Sequence, residues 1–234
     1  MALVLLDDNF STIVGAVREG RRIYDNLLKF VRQALTSNVA EVSTILFAFL
    51  LMGADPLTPL TPLMILWVNL VSDGIPALAL GFEEAEPDVM ERAPRPRDQD
   101  LFADGLKERI VIRGLAVGGI SYYVFQRGLA LDGGPAMAQT MAFVTIMFAQ
   151  LWHIFDARTT STLFRKSPFG NPRLLMAVGL SLLLSALAVY SGFGHYVLGT
   201  QSLPGHILLG CACIAALPTF LLSGLKEVFG LRFL

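Results

Sequence analysis

The sequence predicts an all-α membrane protein: a bundle of six transmembrane helices with a short strand–helix unit at its N-terminus. Three observations predict it. Residues of the AVILMFWYC set make up 54% of the 234 and charged residues 16%, where a soluble domain averages about 25% charged. Several stretches of roughly 20 residues, the length a bilayer core demands, hold one charge or none. Under a six-span arrangement, all 18 basic residues except Arg127 fall on one side of the membrane.

The strand expected over Ala2 to Leu6 is apolar, and Asp8, Asn9 and Ser11 offer N-caps for a helix from about Thr12. One strand and one helix bury too little to fold alone, so they read as the tail of a larger cytoplasmic domain. The spans are expected at 34–53, 62–82, 108–126, 136–156, 173–191 and 205–224. Arg113 interrupts the third and is expected to snorkel to the interface. The stretch 83–107, rich in proline and charge, is the expected cytoplasmic connector. The last long apolar run divides at Ser191-Gly192-Phe193-Gly194 and Leu203-Pro204-Gly205, which read as turns. The charge asymmetry puts both termini in the cytoplasm.

Other classes drop out. The formal charge of −1 offers nothing to a polyanion, so no nucleic-acid partner is expected. Cys211 and Cys213 are the only cysteines and point apart on a helix, which rules out a disulfide framework or a cysteine-based zinc site. His153, His195 and His206 are separate and read as packing or interfacial side chains. Asp156-Ala157-Arg158 reads as a solvated or salt-bridged helix end.

The chemistry lies in two charges inside spans. Each costs about 2.5–3.5 kcal/mol to place there, so each is a functional candidate. Asn38 and Glu41 lie three apart on the first span; Asn69, Ser72 and Asp73 lie at i, i+3 and i+4 on the second. Facing helices would then present carboxylates, amide carbonyls and a hydroxyl, the oxygen set of a hard cation such as Ca²⁺. Gly74 and Pro76 follow Asp73 and mark a helix break, whose freed carbonyls suit an ion cavity. Interhelical hydrogen bonding with protonated carboxylates is the competing reading.

These residues also carry a resemblance. The run Leu66 to Phe82, LWVNLVSDGIPALALGF, resembles the sixth transmembrane helix of type II P-type ATPases of the calcium-pump branch, and Ser37-Asn38-Val39-Ala40-Glu41-Val42 resembles their fifth. Val4-Leu5-Leu6-Asp7-Asp8-Asn9-Phe10 resembles the last strand of their phosphorylation domain. Pro87-Asp88-Val89-Met90-Glu91-Arg92, with Pro94-Arg95, resembles their connector between helices six and seven.

The resemblance implies Ca²⁺ as the transported ion, with Mn²⁺ as the alternative, and Asn38, Glu41, Asn69, Ser72 and Asp73 as its ligands. It divides the chain into a phosphorylation-domain remnant and stalk (1–30), an ion-binding helix pair (31–82), the connector (83–107) and a four-helix support domain (108–234). Met147 stands where two-calcium pumps carry a glutamate, and thioether is a poor partner for a hard cation, so one ion per cycle is expected. Gln150, a turn further, reads either as an amide oxygen for the ion or as interhelical glue. ATP and Mg²⁺ would act only through domains absent from this chain, which is not expected to hydrolyse ATP alone. The expected partners are lipid and the N-terminal part of such a pump, in a cell (plasma) membrane, with protons counter-transported. A stand-alone membrane scaffold and a secondary cation/proton exchanger are the alternatives.

Overall fold

The computed structural model describes residues 10–53, 57–96, 101–103, 105–159, 163–165 and 167–230. Helices α1 (Phe10–Leu51), α2 (Pro62–Trp67), α3 (Ile75–Leu80), α4 (Leu106–Leu129), α5 (Gly134–Ala157), α6 (Pro172–Tyr190), α7 (Gly192–Leu198) and α8 (Gly205–Phe229) follow in order. A seven-residue π-helix, Val68–Gly74, joins α2 to α3, and the three together form one 19-residue rod from Pro62 to Leu80.

Local sequence sets these elements. Thr61 caps α2 by accepting from the Met64 amide at 3.2 Å, with Pro62 at the first helical position, where a missing N–H costs nothing. Asn171 does the same for α6, accepting from the Leu174 amide at 3.1 Å ahead of Pro172. Gly199 and Gly230 follow α7 and α8 in left-handed conformation, as helix ends favour. Five helices are long and apolar enough to cross a membrane: α1, the Pro62–Leu80 rod, α5, α6 and α8. Their outward faces carry exposed Leu46, Phe49, Leu66, Leu70, Leu183 and Leu221, apolar surface that lipid rather than water would cover. The protein is therefore an all-α, multi-pass integral membrane protein.

Three expectations need correcting. The strand–helix unit is one. The described residues contain no β-strand, and the strand expected over 2–6 lies outside them. The helix expected from Thr12 is not a separate piece either: α1 runs unbroken for 42 residues, so the N-terminal segment and the first span are one helix. The span count is the second. The expected third span is a 24-residue helix, α4, but its charges, glycines and tyrosines leave it short of the apolarity of the other five.

Arg113 is the third. It does not snorkel outward but lies buried, its Nη2 3.0 Å from Asp156 of α5. Asp156 also pairs with Arg32 of α1 and accepts from Ser223 of α8, so four helices meet on one carboxylate. Of the two readings of Asp156 and Arg158, the salt-bridged one holds, though each pairs with a distant partner rather than with the other. Arg158 is buried too, and its Nε lies 2.7 Å from Glu83 just beyond α3. Glu83 accepts from Asn171 as well, at 2.8 Å.

The bundle packs in sequence around these nodes: α1 lies along α4, α4 on α5, and α5 on α8, with α6 beside α3. The α1–α4 seam is close. A Cβ on Gly118 would sit 2.9 Å from the Ala40 carbonyl oxygen and collide with Ser43. Ser43 and Thr44 donate across it to the carbonyls of Gly114 and Gly118 at 3.3 and 3.4 Å. Small residues and hydroxyls hold membrane helices together in this way. The connector is anchored to the N-terminal half of α1: Asn26 donates to the Glu83 carbonyl at 2.9 Å, and Arg92 pairs with Asp25 at 2.7 Å.

Candidate ion-binding site

The five candidate ligands lie on α1 and on the π-helix. A π turn hydrogen-bonds i to i+5 rather than i+4, widening the backbone locally. Two residues explain its position. Pro76 has no N–H to return, and in an i+5 pattern the carbonyl so deprived is that of Val71. Ser181 of α6 supplies the missing donor, its Oγ 2.7 Å from the Val71 oxygen. Gly74 gives the room: a Cβ there would meet the Asn69 carbonyl oxygen at 2.9 Å. The break expected from Gly74 and Pro76 is thus a wide turn, not an unwound segment, and it carries Asn69, Ser72 and Asp73.

Glu41 and Asp73 are each only 4% exposed. Asn69 Nδ2 donates to Glu41 Oε2 at 2.9 Å, joining the π-helix to α1. Asp73 Oδ1 accepts at 2.8 Å from Gln33 Nε2, eight residues before Glu41 on α1. Ser72 is fully buried, and neither its hydroxyl nor Glu41 Oε1 has a hydrogen-bond partner among the described residues. Glu41 and Asp73 make no ion pair there. Asn38 stands apart. It is exposed on α1, about 60° round the helix from Glu41, at the open edge of the face rather than within it.

Sequence reading missed Gln33. Its signal was available: Gln33, Ser37 and Glu41 fall at i, i+4 and i+8, one polar stripe on an apolar span. Gln150 joins the same cluster, its Oε1 3.3 Å and its carbonyl oxygen 3.4 Å from Gln33 Nε2. Met147 packs in the apolar core with Val144 and Val68, 2% exposed. No group of three or more His, Cys, Asp or Glu that could hold a metal occurs among the described residues. Any cation here would be held by two carboxylates and neutral oxygens, a set suited to hard ions.

Comparison with known proteins identifies the family of the chain. The family model described as "Cation transporting ATPase, C-terminus" matches residues 57–228. A calcium-transporting ATPase of Bacillus subtilis is 44% identical over 227 residues, covering 95% of this chain and 25% of that protein. Calcium-transporting ATPase 1 of Lactococcus lactis is 38% identical over 97% of this chain and 26% of its own. Calcium-transporting ATPase 1 of Saccharomyces cerevisiae is 33% identical over 86% and 21%. The chain spans about a quarter of the length of the curated relatives it matches.

Proposed function

Because the chain belongs to the cation-transporting ATPase family and matches its C-terminal region, we propose that it is the ion-translocating membrane segment of a P-type calcium pump. The relatives' names supply the ion. The observation that carries the site is the pair of buried carboxylates, Glu41 and Asp73, on two adjoining helices with amide donors but no ion pair among the described residues. A buried carboxylate without a counter-charge either takes a proton or takes an ion. In the proposed cycle it does both in turn: Ca²⁺ enters against Glu41, Asp73, Asn69 and Ser72, and protons replace it on the return.

Asn69 spends its Nδ2 on Glu41 and keeps its carbonyl oxygen for the ion. Asn38, at the open edge, completes the shell with ligands from outside this chain, since Ca²⁺ takes 6–8 oxygens. Burial of Met147 in the core favours one ion per cycle. ATP and Mg²⁺ act through the other domains of the pump, Mn²⁺ being the alternative cargo. With α4 crossing as a sixth, less apolar span beside the other five, both termini face the cytoplasm of a cell membrane, on the distribution of basic residues.

The test uses the complete pump with Asp73→Asn, which keeps the shape and removes the charge. Calcium-dependent phosphorylation from ATP is expected to be lost, while phosphorylation from inorganic phosphate in calcium-free buffer persists. A variant still activated by calcium over the parent's concentration range would remove Asp73 from the site.

A further inference from the structure

We propose that Gln33 is a positioning residue for Asp73, and that Gln150 acts through it: the α1 amide holds one carboxylate oxygen so that the other is presented to the ion. This deepens the reading of the site given above and rests on it.

Both amides are fully buried between α1, the π-helix and α5. Gln33 Nε2 lies 2.8 Å from Asp73 Oδ1, a charge-assisted geometry when the carboxylate is ionised. Its contacts to Gln150, at 3.3 and 3.4 Å, are longer. The other halves of the two amides, Gln33 Oε1 and Gln150 Nε2, find no partner among the described residues. Packing alone does not account for this. Leucine would fill either place without stranding a buried oxygen and a buried N–H, and protein interiors avoid stranded polar groups. The pair is explained if the one short bond to Asp73 is what the amides are kept for.

The consequence for the ion follows from geometry. A carboxylate on a short side chain rotates freely unless one oxygen is held, and each added rotamer lowers the fraction of time its free oxygen faces the site. With Oδ1 engaged by Gln33, Asp73 offers Oδ2 alone. Gln150 limits where the Gln33 amide can swing, from the helix opposite.

The experiment measures calcium activation of phosphorylation from ATP in the complete pump. Gln33→Leu is expected to raise the half-activating calcium concentration by about tenfold or more, with the maximal phosphoenzyme level retained. Gln150→Leu should raise it by about threefold. The double variant should match Gln33→Leu alone, because residues acting in series do not add. A merely structural role would lower the maximal level and leave the calcium midpoint in place. Phosphorylation from inorganic phosphate without calcium reports whether each variant is folded. Should Gln33→Leu fail that check, Gln33→Met, closer in shape, replaces it with the same expected shift. A midpoint within about twofold of the parent, or singles that multiply in the double, would overturn the proposal while leaving the site intact. If Asp73→Asn itself remains calcium-activated, the site assignment falls and the positioning role with it.

Discussion

Asp156 and Asp73 are buried aspartates of one bundle, and their surroundings are opposite. Asp156 is neutralised from within: Arg32 and Arg113 pair with it and Ser223 donates to it, from three different helices. Asp73 receives one amide N–H from Gln33, and Glu41 one from Asn69. Charge inside a membrane protein needs a counter-charge, and what differs is where it comes from. A carboxylate answered by arginines is a joint between helices. One answered only by dipoles is left open to a cation or a proton from outside. The two sites lie close in the chain, since Arg32 of the joint immediately precedes Gln33 of the proposed ion cluster.

The comparison breaks most directly at Asp156. Replacing it by alanine leaves two buried guanidinium groups without their shared anion, and is expected to cost about 3–5 kcal/mol of stability. Asp73→Asn, which removes a buried charge having no ionic partner among the described residues, should leave the calcium-free protein as stable as the parent or more so. Thermal unfolding in detergent compares them; equal losses would erase the distinction. Gly118→Val probes the seam that carries the joint. Its branched side chain must displace Ser43 or the Ala40 carbonyl, for about 1–3 kcal/mol in the same assay. The smallest effect is expected from Met147→Leu, a near-isosteric exchange in the apolar core, at under about 1.5 kcal/mol and with no change in the calcium midpoint. A shifted midpoint would bring that side chain into the ion site after all.

Apart from the start of α1 and the short α7, whose first residues read as a turn, the apolar runs located the helices to within a few residues, because hydropathy is a property of local composition. The buried polar cluster proposed as the ion site was legible in part for the same reason: Glu41 and Asp73 stand out against apolar neighbours, and helical spacing gathers the rest of each half except the exposed Asn38. Partners far apart in the chain were not legible. Arg32 and Asp156 are separated by 124 positions, and nothing in either neighbourhood names the other. Arg113 therefore looked like a flaw in a span, although it is one of two arginines on a buried aspartate. At the π-helix, Gly74 and Pro76 marked the place but not the form. Whether a deprived carbonyl unwinds a helix or widens it depends on Ser181, a donor on a helix 110 residues later.

α1 has a mechanical consequence. At about 1.5 Å per residue its 42 residues extend roughly 60 Å, and no proline interrupts them. A helix without a joint stores little deformation along its axis. Pushing or twisting the N-terminal half, which the connector grips through Asn26 and Asp25, reaches Glu41 as displacement, not as bending absorbed on the way. The shaft bears on its surroundings at Arg32 against Asp156 and at Ser43 against α4. A fixed bearing so close to the carboxylates turns a large excursion at the far end into a small, reproducible rotation where the oxygens are.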